Sequence, residues 1–251
     1  MIVLLPPSEG KIAATSGKPV SLHDLPPFPE LFAARREVID ALTKVSARAN
    51  ALEILGVGAR ISSAVVDNLT VLTRPAAPAY KTYAGVLYDA GQFASRGRLA
   101  ASGTKFYVQS ALFGLIDLTA RIPSYRLSLG TDLPGVGNLA KFWRKHLTET
   151  ADAKFAGEVI VDCRSGTYVN AWKAPKNERI VVKAETATGR VISHAAKKWR
   201  GIIAGQLLGE DATFDLLMSK MQDLIDNKQI ARFEMRDTKY GADLIVIPKV
   251  D

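Results

Sequence analysis

Apolar runs of two kinds alternate along the chain and predict a protein of mixed α and β structure. Residues 2–5 form an uninterrupted apolar run that two prolines stop, as expected of a buried strand. Similar β-rich runs predict further strands at 105–108, 159–161, 179–183 and 244–247. Helical spacing of apolar positions predicts helices at 30–50 and near 138–149, 194–208 and 214–226. We therefore expect a fold of the α+β, or mixed α/β, class, with a central mixed sheet and flanking helices.

Prolines separate one part of the chain from the rest. Residues 15–29 are rich in Pro, Ser and Gly and are predicted to form a loop, and Pro75 and Pro78 close the helical block that follows this loop. The chain has 251 residues, enough to bury a large core without disulfide bonds. We expect one domain over 1–251, in which about 30–75 is a helical insertion.

The predicted helix at 194–208 carries two different faces. Its apolar face consists of Ile192, Ala195, Trp199, Ile202 and Ile203. Lys197 and Arg200 share another face, with Lys198 beside them, so the helix is expected to present a cationic stripe. Gly201 and Gly205 follow at a spacing of four, which predicts that another backbone packs closely against this helix.

The net charge of +8 is concentrated in one segment. Between Arg164 and Arg200 the chain has nine basic residues and two acidic ones, a net charge of +7. Such a segment is suited to a polyanionic partner, although a charge run is also typical of a solvated surface.

Residue types that are scarce exclude several classes of protein. Cys163 is the one cysteine, so there is no internal disulfide framework and a reducing cytosol is expected. The first residues do not resemble a signal peptide, and no apolar stretch is long enough to span a bilayer. The three histidines are far apart and no HExxH motif occurs, so we expect neither a metal site nor a cofactor. The prediction is a cytoplasmic monomer with no membrane partner.

Polar residues follow the first predicted strand. Gly10 and Lys11 suggest a phosphate-binding loop, but that motif would require Gly at the position of Leu5 and Ser or Thr at the position of Ile12. Ser8 and Lys11 still lie where open α/β sheets place ligand-binding groups. An ordinary turn at the end of the strand explains the same residues.

The segment Gly56-Val57-Gly58, followed by Arg60, resembles the hairpin of helix-hairpin-helix modules that bind DNA. The glycines allow a tight turn, and the amides at the start of the next helix can receive a phosphate whose charge Arg60 complements. Such contacts read the DNA backbone, so binding would be independent of sequence and sensitive to salt. A plain corner between two helices is the alternative interpretation.

Two further polar clusters are candidates for anion binding. Tyr125 and Arg126 follow an apolar segment, and Ser165 and Tyr168 follow the predicted strand at 159–161. Neither cluster contains a nucleophile with a base at a recognisable spacing, such as GxSxG. Structural hydrogen bonding is the alternative role of each cluster.

Six blocks, taken in order, resemble the YaaA family of bacterial peroxide-stress proteins. They lie at 6–11, 83–90, 110–115 with 125–131, 138–139 with 142–143, 165–168 and 192–201. The resemblance implies a cytosolic protein of the unusual mixed α/β fold called cantaloupe-like, with a helix-hairpin-helix element and a positively charged cleft. It also implies binding of double-stranded DNA and a role in limiting damage by free iron. The cleft residues that it implies are Lys11, Tyr125, Arg126, Ser165, Tyr168, Lys197, Lys198 and Arg200.

Two functional hypotheses follow. In the first, a stress protein binds the phosphate backbone of duplex DNA through Gly56, Val57, Gly58 and Arg60, with segment 164–200 as a second contact surface. In the second, an enzyme or a small-ligand binder acts on a phosphorylated or carboxylated metabolite. Its site would be formed by the cleft residues together with Ser8, with Glu9 or Asp162 as the general base. Convergence of these side chains in one pocket would favour the second hypothesis.

Overall fold

The structure is a computed structural model that describes residues 1–175 and 179–249. Its strands are β1 (Ile2–Leu5), β2 (Ala77–Pro78), β3 (Lys105–Ser110), β4 (Gly114–Asp117), β5 (Arg121–Ile122), β6 (Asp132–Leu133), β7 (Gly137–Asn138), β8 (Ile160–Asp162), β9 (Arg179–Ala184), β10 (Ile230–Thr238) and β11 (Gly241–Pro248). Its α-helices are α1 (Phe32–Ser46), α2 (Ala51–Ile54), α3 (Ser62–Val66), α4 (Ala79–Thr82), α5 (Val86–Ala90), α6 (Phe93–Arg96), α7 (Leu139–Lys154), α8 (Gly166–Val169), α9 (Ser193–Gln206) and α10 (Phe214–Asp226). Short 3-10 helices cover Pro29–Leu31, Ala59–Ile61, Asp67–Thr70 and Gly97–Ala101.

Seven strands form one mixed sheet in the order β10-β11-β9-β8-β1-β3-β4. The strands from β11 to β3 are parallel to one another, and β10 and β4 are antiparallel additions at the two edges. The predicted mixed α/β fold with a central mixed sheet is therefore confirmed, and each of the five predicted strands is present. The sequence-based prediction did not include β4 or β10.

The order of the strands reverses at β1. The chain places β3 on one side of β1 and returns to place β8 on the other side. Open α/β sheets bind ligands beyond the carboxyl ends of the strands at such a reversal, because the connections diverge there and leave a crevice. The polar residues 6–11, which follow β1, begin at this crevice.

The helical insertion is less regular than its pattern predicts. A long helix, α1, is present, but residues 50–75 form the short helices α2 and α3 with 3-10 turns around them. The buried side chains of this region, such as Leu42 and Val65, belong to the same hydrophobic core as those of the sheet. The insertion therefore shares its core with the sheet, and Ile61, Ala64 and Asp67 form one side of the crevice.

Two buried donors hold the turn between β3 and β4. The Arg35 side chain is fully buried and donates from Nε to the Phe113 carbonyl at 3.0 Å and from Nη1 to the Leu25 carbonyl at 2.9 Å. Trp143 donates from Nε1 to the Ala111 carbonyl at 2.8 Å. Gly114 has a φ of +72°, and a Cβ there would lie 2.8 Å from the Trp143 ring, so only glycine fits. This turn fixes the position of the end of β3.

Helix α9 packs closely on α5, as the glycine spacing predicts. A Cβ at Gly201 would overlap the carbonyl oxygen of Leu87, and one at Gly205 would lie 2.7 Å from the carbonyl oxygen of Gly91. The close approach brings the amino-terminal half of α9 to the crevice. Among the helices that the structure describes, none has the length and apolar character needed to cross a membrane.

Replacing Gly201 with alanine tests this packing. We expect Gly201→Ala to lower the free energy of unfolding by about 1–3 kcal/mol, because the new methyl group must displace the backbone of Leu87. This range is the net change, after the roughly 1 kcal/mol that alanine gains over glycine within a helix has been subtracted. Chemical denaturation measures the difference. Gly130→Ala is the matched control, since a Cβ there meets only Ser128 Oγ at 3.9 Å. Equal stability of the two variants would contradict the close approach.

Candidate functional site

Two adjoining cavities occupy the crevice beyond β1. The first has a volume of about 380 Å³ and is called here the anion cavity; its lining includes Ser8, Ser165, Tyr168, Lys197 and Arg200. The second has a volume of about 240 Å³ and is called the lysine cavity; its lining includes Lys11, Ser124, Tyr125 and Arg126. Glu9 and Gly10 line both cavities, and we call the two together the cleft.

Of the nine predicted cleft residues, the structure brings eight to this cleft and leaves Lys198 apart. Lys198 lines a different cavity together with Arg96 and Gln206, and its Nζ lies 5.7 Å from the centroid of the Trp199 ring. One residue along a helix is a rotation of about 100°, so Lys197 and Lys198 point in different directions. The cationic stripe of α9 therefore contributes Lys197 and Arg200 to the cleft.

The turn after β1 is fixed by hydrogen bonds at the border of the anion cavity. Ser8 donates from Oγ to the Gly10 carbonyl at 2.5 Å and accepts from the Ala84 amide at 3.0 Å. The Tyr88 hydroxyl donates to the Pro6 carbonyl at 2.7 Å. The Ser8 hydroxyl is thus engaged in shaping the turn.

The positive side chains of the anion cavity come from α9. Arg200 donates from Nε to the Val182 carbonyl at 3.0 Å, which anchors its guanidinium, while Lys197 is exposed to solvent. Tyr168 lines the same cavity, and burial raises the pKa of its hydroxyl while Ser128 opposes that shift. An anchored guanidinium with an exposed ammonium in the same cavity is a suitable arrangement for binding a phosphate or a carboxylate.

A chain of hydroxyl groups lies beneath the lysine cavity. Ser110 Oγ accepts hydrogen bonds from the amides of Leu112 and Phe113 at 3.1 and 3.0 Å. It lies 2.8 Å from the Tyr125 hydroxyl, which lies 3.0 Å from the Tyr83 hydroxyl. Because two amides already occupy the lone pairs of Ser110 Oγ, its proton must be donated to Tyr125. Burial raises the pKa of both tyrosines, so they stay protonated and hold fixed orientations.

Lys11 lies on the tyrosine rings that this chain orients. Its Nζ is 4.3 Å from the centroid of the Tyr125 ring and 5.5 Å from that of Tyr83, and it donates to the Ser8 carbonyl at 2.6 Å. The pKa of the Lys11 amine is lowered to about 7. Burial is the largest cause, the charge of Arg126 adds to it and the carboxylate of Glu9 opposes it. A substantial fraction of Lys11 is therefore a neutral amine at pH 7.

Arg126 is held by a residue that the sequence did not single out as functional. The buried Asn68 accepts from the Arg126 amide at 2.8 Å and donates to the Arg126 carbonyl at 3.0 Å. The guanidinium of Arg126 donates to the Glu9 carbonyl at 3.2 Å and to its carboxylate at 3.3 Å. Asn68 thus links the helical insertion to the cleft. No sequence motif marks it, because the two hydrogen bonds join residues 58 positions apart.

Asp162, one of the two predicted general bases, is engaged in a buried ion network. Arg164 donates to it from Nε and Nη2 at 2.9 Å, and Arg179 donates from Nε at 2.9 Å. Burial alone would raise the pKa of Asp162, but the charge and hydrogen bonds of Arg164, with the charge of Arg179, hold it below its ordinary value. Asp162 is therefore occupied by two arginines, and of the two predicted general bases Glu9 is the one that lines the cleft.

The basic segment 164–200 forms a smaller surface than its charge suggests. Arg164 and Arg179 are paired with Asp162, and Lys183 is paired with Asp243 at 2.6 Å. Lys176 lies outside the described residues. The structure thus leaves Lys197 and Arg200 as the members of this segment that line the cleft.

The predicted hairpin directly precedes two residues that line the lysine cavity. Gly56 has a φ of +63°, and the amides of Gly56 and Val57 bond to carbonyls of the preceding α2 at 3.0 and 2.9 Å. Gly58 and Arg60 are exposed, and the helix that follows, α3, has five residues. Ile61 and Ala64, just beyond the turn, line the lysine cavity. The hairpin is therefore next in sequence to residues that line the cleft, and the identity of the hairpin as a helix-hairpin-helix module stays a prediction.

Neither a metal centre nor a reactive thiol accompanies the cleft in the part of the chain that the structure describes. Residues 1–175 and 179–249 contain no group of three or more His, Cys, Asp or Glu side chains that could hold a metal ion. Cys163 is buried, and burial raises the pKa of its thiol to about 12. A cysteine that reacts with peroxide needs an accessible thiolate, so this environment does not suit Cys163 for that chemistry.

Comparisons with known proteins identify relatives over most of the chain. A family model described as "Peroxide stress protein YaaA" matches residues 1–234. A UPF0246 protein of Streptomyces coelicolor is 40% identical over 220 residues, which is 83% of this chain and 83% of the relative. A UPF0246 protein of Corynebacterium efficiens is 36% identical over 210 residues, 81% of this chain and 83% of the relative. The family match extends from β1 into the edge strand β10.

The position of Lys11 predicts an unusual titration. We expect its amine to titrate with a midpoint near pH 7 in NMR spectra of protein with ¹³C-methylated lysines. Arg126→Gln is expected to raise the midpoint, because it removes a positive charge and releases the Glu9 carboxylate. Arg36→Gln, an exposed position on α1, is the matched control. A midpoint at the ordinary lysine value of about 10.4 would contradict the described environment.

Proposed function

Since the chain belongs to the family of the peroxide stress protein YaaA, we propose that it acts in the peroxide response by binding double-stranded DNA through the phosphate backbone. The observation that carries this proposal is that Ile61 and Ala64, which directly follow the hairpin at 56–60, line the lysine cavity of the cleft. A duplex whose phosphates contact Gly58 and Arg60 would run past the entrance of the cleft. Lys197 and Arg200 would then receive a second phosphate.

The residues at these positions suit a backbone contact rather than the reading of bases. Gly58 presents no side chain, Arg60 is exposed, and the anion cavity combines two cations with hydroxyl groups. Such groups recognise phosphate whatever the base, so the proposed binding is independent of DNA sequence. Each phosphate that a cation neutralises releases counterions, so the affinity should fall as salt increases.

A role in limiting free-iron damage fits the same contacts. Cations condense along the phosphates of DNA, and a protein that neutralises phosphates displaces them. We propose that the protein protects DNA by displacing iron cations from the stretch of backbone that it covers. This role needs no metal-binding site in the protein.

The cleft supports a second candidate function, the binding of a small phosphorylated or carboxylated ligand. Eight of the predicted cleft residues line two adjoining cavities, and convergence is what this hypothesis required. The anion cavity, at about 380 Å³, is in the range of small-molecule sites. The two functions are compatible, because a group attached to a DNA backbone can enter the cleft.

Reversing one charge on the hairpin tests the DNA-binding proposal. In fluorescence anisotropy titrations, wild-type protein is expected to bind unrelated duplexes equally and to weaken as salt rises from low to moderate concentration. Arg60→Glu should weaken binding to every duplex and make the salt dependence less steep by about one phosphate contact. Arg36→Glu makes the same charge change at an exposed position on α1 and is the control.

Adding a small phosphorylated ligand to the anisotropy titration separates the two candidate functions. A ligand that binds the anion cavity would displace the duplex from that cavity but would leave the contact between the duplex and Arg60 in place. An affinity for duplex that does not depend on salt concentration, or that Arg60→Glu leaves unchanged, would contradict the DNA-binding proposal.

A further inference from the structure

Lys11 is poorly suited to binding phosphate, although it lies next to residues that are well suited to it. Its amine is buried over two aromatic rings and lies beside the like charge of Arg126, and burial and this charge both favour loss of its proton. The exposed Lys197 and the anchored Arg200 already supply positive charge to the anion cavity. The lysine cavity therefore holds an amine that is neutral in a substantial fraction of molecules at pH 7, next to an anion cavity that already has two cations.

We propose that Lys11 is an amine nucleophile that forms an imine with the aldehyde of a phosphate-bearing ligand in the cleft. This inference rests on the proposed function where the ligand is DNA, and it is independent of that function where the ligand is a free phosphorylated aldehyde. In both cases the shared chemistry is an aldehyde carried a short distance from a phosphate.

The orientation of the amine suits attack on a carbonyl. One N–H of Lys11 is donated to the Ser8 carbonyl at 2.6 Å, and the Tyr125 ring covers one side of the nitrogen. In the neutral amine the lone pair is then free to point into the lysine cavity. Desolvated lysines next to another cationic group are activated as nucleophiles in this way.

Besides Lys11, the lysine cavity is lined by a serine whose hydroxyl group has no hydrogen-bond partner. Ser124 is 9% exposed, its Oγ is buried without a hydrogen bond, and it lines the same cavity as Lys11. Leaving a buried hydroxyl unpaired is unfavourable, so a ligand oxygen that bonds to it would recover that free energy. The carbonyl oxygen of a ligand attacked by Lys11 is such an oxygen.

The reaction balances with groups that the cleft holds. The lone pair of Lys11 Nζ forms the N–C bond while the carbonyl π pair moves to oxygen, which gives a carbinolamine after proton transfer from nitrogen to oxygen. The C–O bond then breaks, and the oxygen leaves as water after taking a second proton. The sum is amine plus aldehyde to imine plus water, so no oxidant or reductant is required. Glu9, the carboxylate shared by both cavities, is placed to move these protons.

The adjoining cavities define the ligand. The anion cavity would hold the phosphate through Lys197 and Arg200, and the lysine cavity would hold the aldehyde. Two sources carry both groups: an abasic deoxyribose within a DNA strand, where phosphates flank a masked aldehyde, and a free sugar phosphate. Charged and titratable groups that border Lys11 are Glu9, Asp67, Tyr83, Tyr125 and Arg126, and Asp67 is itself paired with Arg74.

Trapping with borohydride tests the inference on the full-length protein. The protein is incubated with a duplex containing one abasic site, with 2-deoxyribose 5-phosphate, or with unphosphorylated 2-deoxyribose. Borohydride then reduces any imine to a stable amine, which peptide mass spectrometry locates. We expect a single adduct on Lys11, formed with at least one of the two phosphorylated probes and faster than with the unphosphorylated sugar. The rate should rise with pH through a midpoint near 7.

Variants separate a specific imine from general lysine reactivity. Lys11→Arg should abolish the adduct, and Lys141→Arg, at an exposed position on α7, should leave it unchanged. Ser124→Ala keeps the amine and should slow trapping about tenfold, as expected for the loss of one hydrogen bond. Circular dichroism verifies that each variant is folded. If Lys11→Arg does not fold, the slower trapping in Ser124→Ala and the pH profile of the wild type decide the outcome.

The outcomes distinguish this inference from the proposed function. Adducts spread over exposed lysines, or no adduct with any probe, would overturn the inference, while binding of intact duplex would still support the DNA-binding proposal. An adduct on Lys11 with the free sugar phosphate alone, in a protein that does not bind intact duplex, would support the inference and reject the DNA-binding proposal. An adduct with the abasic duplex supports both.

Discussion

Strand β1 pairs with β3 on one side and with β8 on the other, so the reversal of strand order at β1 determines where the cleft lies. Ser8 and Lys11 follow β1, Ser110 ends β3, and Ser165 and Tyr168 follow β8. Because these strands are parallel, their carboxyl ends meet at one edge of the sheet, and polar residues after each strand converge there. The helices add their residues to this edge, with Asn68 holding Arg126 from one side and the α5–α9 contact carrying Arg200 from the other.

Within this crevice, the Ser110 hydroxyl connects the buried turn after β3 to Tyr125 and Lys11. Ser110 accepts hydrogen bonds from two amides of the turn that Arg35 and Trp143 hold, so its own proton is donated to Tyr125. Tyr125 in turn forms the aromatic floor on which Lys11 lies. The cleft thus divides into a solvated part, where Lys197 and Arg200 keep their charge, and a desolvated part, where Lys11 loses its proton readily. The chain belongs to a peroxide-stress family, but the buried environment of Cys163 does not suit that thiol to react with peroxide.

Much of the fold followed from the hydrophobic pattern, while the pairing of charges did not. Long runs such as Ile2–Leu5 and the spacing in α9 are local features, and the structure confirms both. Strand β4 was missed because Gly114 turns the chain within an apolar run, and a positive φ leaves no mark in the apolar pattern. Arg164 was counted in the basic segment, but its side chain is completely buried and forms an ion pair with the equally buried Asp162. Burial of an ion pair depends on tertiary contacts, which a count of charges along the sequence does not contain. The convergence of the cleft residues was expected from the family resemblance, whereas the roles of Asn68 and Ser124 required coordinates.

The proximity of the hairpin and the cleft is the central claim, and amide hydrogen exchange with and without duplex DNA tests it most directly. Bound duplex is predicted to slow exchange at 56–60 and at 6–11 together, because one backbone would cross both surfaces. Protection that is confined to other regions, such as the β10–β11 hairpin, or that affects neither segment, would contradict the claim.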